Sequence, residues 1–148
     1  MDLDNKHQHF MRKALDLAKQ AKEEGEVPVG AIIVFKDQVI AKGYNQTERL
    51  VDSTAHAEMI AITAAEEYMN SKYLKDCTLY VSLEPCLMCG GAIQWSQLGQ
   101  IVYGASDPEK GCLSRNMHLF PKKTKIVAGI LAQECEALIM DFFNSKRL

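Results

Sequence analysis

The sequence predicts an α/β fold, a three-layer α/β/α sandwich around a mixed five-stranded sheet. Two short apolar runs near the amino terminus are separated by a polar turn at residues 36–38, which indicates a β-hairpin. Three further apolar runs follow, and stretches with helical periodicity lie among them, which is typical of strands joined by helices. Because the 148 residues contain no repeat and no linker, we predict one domain over residues 1–148.

Each predicted element has its own signature. Apolar residues recur at helical spacing from Phe10 to Ala21, and this first helix ends before Gly25. The hairpin strands are 30–35 and 39–44. The helix that follows is apolar nearly all round in its first half, which indicates burial. This second helix is predicted at 55–70, and strand 78–83 follows it. A third helix has Pro85 in its first turn and runs to about Leu98. Strands are then predicted at 101–104 and 125–128, and a last helix has on one face Leu131, Cys135, Leu138, Ile139 and Phe142.

The composition is that of an ordinary globular chain. Hydrophobic residues make up 47% and charged residues 24%, and the formal net charge of −2 neither indicates nor excludes a polyanionic partner. No apolar run approaches the roughly 20 residues that cross a bilayer, and the polar start has no signal-peptide core. We therefore predict a cytoplasmic protein without a membrane partner. An odd count of five cysteines in that compartment argues against disulfides.

Two short motifs carry the chemistry. Cys86 and Cys89 are three residues apart, so one helical turn can direct both sulfurs to one point, and a helix start lowers the pKa of thiols. His56 also lies near a predicted helix start, 30 positions earlier. These three residues would leave one tetrahedral position of a zinc ion for water, which is the arrangement of a catalytic site and lowers the pKa of that water to around 7.

Glu58 is the candidate proton carrier. It stands two residues after His56, a spacing that points side chains apart on a regular helix but lets both flank a pocket at a helix start. Two other interpretations of the cysteines remain. They could form a redox pair, or they could belong to a structural four-ligand site with Cys77 or Cys112 as the fourth ligand.

His56-Ala57-Glu58 together with Pro85-Cys86-Leu87-Met88-Cys89 resembles the zinc nucleobase deaminase superfamily. The segments 26–31, 43–45, 54–59, 103–105 and 141–143 look like its tRNA-specific adenosine deaminase branch. The resemblance implies a cytidine-deaminase-like fold and conversion of adenosine to inosine at the wobble position of a tRNA anticodon. It also implies one Zn²⁺ per subunit and a homodimer.

The resemblance further implies a substrate pocket. Asn45 would hydrogen-bond the base, and Pro28 and Val29 would line the pocket. Ala57 and Pro85 would complete the substrate-binding set, with backbone N–H groups near Ala57 and Cys86 facing the developing charge.

An RNA substrate also requires contacts beyond the base. Base extrusion costs least in a single-stranded loop such as the tRNA anticodon loop. The expected RNA contacts are Phe143, about 100° off the buried seam of the last helix, His118 in the long loop 105–124, and the terminal Lys146 and Arg147. Lys122, Lys123 and Lys125 form a second basic cluster. For the charged residues, the alternative is a solvated face, and for Phe143 it is a side chain that only covers the core.

Further expectations concern single residues and other functions. We expect Met88 and Trp95 to be core residues, and His7 and His9 to be disordered. Two other functions remain: a free-base or nucleotide deaminase that acts on guanine or cytosine, and a structural zinc module that binds a partner and catalyses nothing.

Overall fold

The computed structural model describes residues 2–146, which fold into four helices and five strands. In chain order they are α1 (Leu3–Glu23), β1 (Gly30–Phe35), β2 (Gln38–Tyr44), α2 (Ala57–Met69), β3 (Cys77–Leu83), α3 (Leu87–Ser96), β4 (Gln100–Ala105), β5 (Lys125–Val127) and α4 (Ala132–Ser145). Over these residues, no helix is both long and apolar enough to span a bilayer.

The five strands form one mixed sheet in the order β2-β1-β3-β4-β5. β1 is antiparallel to both of its neighbours, whereas β3, β4 and β5 run parallel. The hairpin follows from the turn at Lys36 and Asp37, both of which have positive φ, as the primed turns of tight hairpins require. The mixed five-stranded sheet is confirmed.

Alternation along the central strands gives each face of the sheet its own core. Ala31 and Ile33 of β1 face one side, where they pack with α2 and α3, and Ile32 and Val34 face the other, where they pack with α1 and α4. The same division holds along β3, and along β4 as far as Tyr103. Helices therefore cover both faces, which confirms the three-layer α/β/α sandwich.

The topology gathers several loops at one edge of the sheet. β3 ends at Leu83 and β4 at Ala105, and these parallel strands direct their carboxyl ends the same way. Because β1 is antiparallel to β3, its first residue lies at that edge, where the Gly30 amide donates to the Ser82 hydroxyl at 3.0 Å. Ligands of open α/β sheets bind outside such carboxyl ends.

The expectation that His7 and His9 are disordered is wrong. Both lie in α1, which begins at Leu3 because the Asp2 carboxylate caps it by accepting the Asn5 amide at 2.8 Å. His7 is buried, and its Nδ1 lies 2.8 Å from the Tyr80 hydroxyl. This contact with β3 joins residues 73 positions apart, so no local pattern reveals it.

Two expectations about α3 also need correction. Trp95 is not a core residue, because its side chain is 81% exposed, whereas Ile93 holds the helix against the sheet. Met88 is half-buried. Pro85 does not lie in the first turn of the helix: Cys86 is the N-cap, so the proline precedes it. The ring of Pro85 fixes its own φ directly before the cap.

Candidate active site

Two helices begin at the edge of the sheet where β3 and β4 end, and each has a predicted metal ligand as its N-cap. His56 caps α2 with φ −76° and ψ 154°, and Cys86 caps α3 with φ −76° and ψ 179°. N-cap side chains normally accept a hydrogen bond from the first turn, but neither of these does so. Both side chains are thus directed to another partner.

A zinc ion fits as that partner. The His56 Nδ1 atom lies 3.5 Å from the Cys89 Sγ atom and 3.7 Å from the Cys86 Sγ atom, and all three ligand atoms lie within 4.8 Å of one another. Zinc bonds of about 2.3 Å to sulfur and about 2.05 Å to nitrogen at tetrahedral angles would separate N and S by about 3.6 Å. The spacing of the donors therefore matches a tetrahedral zinc site with three protein ligands.

The crowded sulfurs favour a cation. The pKa of Cys86 is lowered to about 3 because the Cys89 thiol donates a hydrogen bond to its sulfur and His56 lies beside it. The same contact, together with burial, raises the pKa of Cys89. Two thiols this close compete for one proton, and a divalent ion stabilises both of them as thiolates.

Glu58 lies in the first turn of α2 and is only 4% exposed. Because His56 is extended and not helical, the two-residue separation does not turn the side chains apart, and Cys86, Cys89 and His56 all perturb the Glu58 carboxyl. Burial raises the pKa of Glu58 to about 7. Gly43 lets β2 approach this turn closely, since a Cβ there would lie 2.3 Å from the Ala57 carbonyl oxygen.

The residues expected to bind substrate lie at the same edge. Pro28, Val29, Ala57 and Pro85 are buried beside the two helix starts, and Asn45 is 7% exposed. The Asn45 amide donates to the Val29 carbonyl at 3.0 Å, so the ends of the hairpin strands hold both residues together. The five expected substrate contacts thus lie at the same edge of the sheet as the predicted metal ligands.

The buried carboxylate of Glu84 organises the loop after β4. It accepts hydrogen bonds from the Asp107 amide at 3.0 Å, the Ser114 amide at 2.7 Å and the Ser114 hydroxyl at 2.5 Å. The loop then closes on the start of α3, where the Cys112 amide donates to the Pro85 carbonyl at 2.9 Å and Gly111 bridges to Cys86. No role was predicted for Glu84, although an acid directly after a buried strand is a detectable signal.

The carboxylate of Glu26 organises the loop before α2 in a similar way. It is 1% exposed and accepts the amides of Glu48 at 3.1 Å and Arg49 at 2.8 Å. This loop connects Asn45 to His56. Each loop that flanks the site is therefore held by one buried carboxylate, and for Glu26 also no role was predicted.

The expected RNA contacts are dispersed. Phe143 is 46% exposed on α4, and Lys146 is exposed with its Nζ 5.3 Å from the centre of the Phe142 ring. His118 is exposed on the loop after β4, and Arg147 lies outside the described residues. The lysines 122, 123 and 125 lie at the beginning of β5, the end of the sheet opposite to the metal ligands.

Comparisons with known proteins agree with this geometry. The family description "cytidine and deoxycytidylate deaminase zinc-binding region" matches residues 4–105. The tRNA-specific adenosine deaminase of Bacillus subtilis (strain 168) is 40% identical over 143 residues, which cover 93% of this chain and 89% of that protein.

Solved structures are also similar. One comes from studies of A-to-I editing by tRNA:A34 deaminases at the wobble position of transfer RNA, with a TM-score of 0.82, 36% identity, and coverage of 88% of this chain and 98% of that one. The guanine deaminase of Bacillus subtilis superimposes with a TM-score of 0.64 and 38% identity, and covers 72% of this chain and 66% of that one.

Proposed function

The chain belongs to the cytidine and deoxycytidylate deaminase family, in its tRNA-specific adenosine deaminase branch, and from that premise we propose that it converts adenosine to inosine at the wobble position of a tRNA anticodon. One observation carries the proposal: a buried carboxyl, Glu58, lies beside three zinc-type ligands whose donor atoms are all within 4.8 Å of one another. The reaction is a hydrolysis, in which one water enters at C6 of adenine and one ammonia leaves.

His56, Cys86 and Cys89 would hold the zinc ion, one per subunit. When bound, zinc supplies a Lewis acid that lowers the pKa of water to around 7, so that hydroxide is available at neutral pH. Glu58 would take one proton from the attacking water and deliver it to the ring nitrogen next to C6. It would then take the second proton from the same oxygen and deliver it to the amino group, so that the carbonyl forms at C6 as the C6–N bond breaks and ammonia leaves. A proton carrier works best when its pKa is near the working pH, and burial raises the pKa of Glu58 to about 7.

The two helix starts also offer backbone donors. The first N–H groups of a helix have no partner within the helix, and the positive ends of α2 and α3 both face the site. The amides near Ala57 and Cys86 would stabilise the negative charge that develops on the incoming oxygen. Asn45 would hydrogen-bond the base, while Pro28 and Val29 form the wall against it and Pro85 closes the side of α3.

The remaining proposals concern assembly and location. We propose that the protein acts on tRNA in the cytoplasm, with Phe143, Lys146, Arg147 and His118 as RNA contacts. One face of α3 supports a homodimer, since Leu87 is 50% and Trp95 is 81% exposed and nothing described covers them. The expected molar mass in solution is twice the chain's 16.6 kDa.

The test compares substrates. The purified zinc-loaded protein is incubated with tRNA or an anticodon stem-loop and, separately, with guanine, cytosine and adenosine, and inosine and ammonia are measured. We expect inosine in the RNA and no ammonia from the free compounds. Ammonia from guanine or cytosine with no inosine in RNA would contradict the proposal. It would favour a free-base deaminase. The guanine deaminase to which this chain is similar, with a TM-score of 0.64, acts on such a substrate.

A further inference from the structure

A groove lies at the end of the sheet opposite to the metal ligands. It has a volume of about 490 Å³ and is formed where β3, β4 and β5 begin, by Cys77, Gln100, Lys125 and the segments before them. β3 spans the distance from this groove to the active site, and its seven residues correspond to about 20 Å. No part of the proposed chemistry uses the groove.

The groove is strongly basic. Lys75, Lys123 and Lys125 line it, with Asp76 as the one carboxylate among its lining residues. The segments 71–76 and 121–125 together contain five lysines and one aspartate, whereas the whole chain has a formal net charge of −2. Positive charge is thus concentrated on one end of an acidic protein, which is the electrostatic signature of a polyanion contact.

Part of this charge is held in place. The Nζ atoms of Lys72 and Lys75 lie 5.2 Å and 5.8 Å from the centre of the Tyr73 ring, which is 43% exposed. Cation–π contacts of this kind restrict the lysine side chains and lower the entropy that is lost when they bind. On the opposite side of the groove, the Thr124 hydroxyl donates to the Leu98 carbonyl at 2.9 Å and the Lys125 amide to the Gly99 carbonyl at 3.1 Å, which fixes the segment that carries Lys123 and Lys125.

We propose that this basic groove binds the phosphate backbone of the substrate RNA at a point about 20 Å from the reacting base. The proposal rests on the proposed function, because an RNA substrate is what presents phosphates at that distance. Lysines contact phosphates as point charges, and such contacts fix the orientation of a nucleic acid without reading its sequence. A protein partner would instead need an exposed apolar centre. The apolar side chains at this groove do not provide one, because Cys77 and Leu98 are buried and Pro121 is half-buried.

The test uses the full-length zinc-loaded protein with lysines 75, 123 and 125 replaced by alanine. The matched control replaces Lys13, Lys19 and Lys42, which are also exposed but lie on α1 and β2. The dissociation constant for full-length tRNA is measured between 50 and 200 mM KCl, together with kcat and KM for inosine formation. For the groove variant, we expect the slope of log affinity against log salt to fall by roughly 2–3, because each phosphate contact contributes about 0.7–0.9. KM should rise about tenfold or more, while kcat stays unchanged.

The control variant should keep the salt slope of the wild type. A groove variant with the slope and dissociation constant of the wild type would overturn the proposal, and so would a control that loses as much affinity. Failure of the proposed function is distinguishable, because wild-type protein would then form no inosine at all. RNA binding and its salt slope would still report on the groove.

Discussion

The starts of α2 and α3 are built alike but contribute different chemistry. Each begins with a predicted metal ligand, His56 or Cys86, as an N-cap whose side chain makes no capping hydrogen bond. α2 contributes one ligand and an acid in its first turn, whereas α3 contributes two ligands and no acid. In the proposed reaction, α3 would therefore provide most of the metal ligands, and α2 would provide the proton carrier. Each start is also supported by a loop tied to a buried carboxylate, Glu26 before α2 and Glu84 before α3.

The difference shows how one site separates two tasks. Both helix starts sacrifice a stabilising cap, and a departure from local rules of this kind is expected at functional sites. Damage to α3 should remove the metal and the reaction together. Damage to α2 at Glu58 should remove the reaction and leave the metal.

The largest effect is expected from removing a ligand on α3. Cys89→Ala should lower the zinc content from about one per chain to near zero and reduce inosine formation by more than ~10³-fold, because water returns to a pKa near 16 without the metal. The zinc content is measured by mass spectrometry, and the activity is measured as inosine formation on tRNA. The matched control is Cys77→Ala, another buried cysteine that lies at the far end of β3 and should keep its zinc. A Cys89→Ala protein with full zinc would show that the ion binds elsewhere.

An intermediate effect is expected from the two supporting carboxylates. Glu84→Gln and Glu26→Gln each turn an acceptor oxygen into an NH₂ group that faces a backbone N–H, which should cost roughly 1–3 kcal/mol of stability. Glu84→Gln should also weaken zinc binding or kcat by roughly 10–100-fold, as outer-shell changes at metal sites do, because its loop contacts Pro85 and Cys86. Glu26→Gln should mainly raise KM, because its loop carries Asn45.

Thermal unfolding, zinc titration and steady-state kinetics measure these effects on the same preparations. If the two variants change zinc binding, kcat and KM in the same way, the two loops do not have the separate roles that are predicted for them.

The pairing of Cys86 and Cys89 could be predicted from the sequence because its information is local. Their approach to His56, 30 positions before Cys86, depends on how the two helix starts are placed by the fold. The separation of Cys86 and Cys89 fits one helical turn, and strand alternation distinguishes the two cores. Glu58 and His56 can flank the same site because His56 is an N-cap with an extended backbone. The sequence indicates this only indirectly, because it shows roughly where the apolar helix begins.

What the sequence missed depends on long-range packing. The apolar character of Trp95 predicts burial, but no described element packs on that side of α3. His7 lies in a polar segment and is buried through a contact with Tyr80, 73 positions later. The lysines at 122, 123 and 125 could not be placed at the far end of the sheet, because that depends on the direction of β5 next to β4.

The most direct measurement is the rate of inosine formation by Glu58→Ala on tRNA, made together with its zinc content and its thermal unfolding. Removing the proton carrier should lower kcat by about 10²–10⁴-fold, which is the usual contribution of general acid–base catalysis. Zinc should stay near one per chain and the fold should be intact. If the variant is folded, fully loaded with zinc and still deaminates at the wild-type rate, Glu58 does not carry the proton and the account of this site is contradicted.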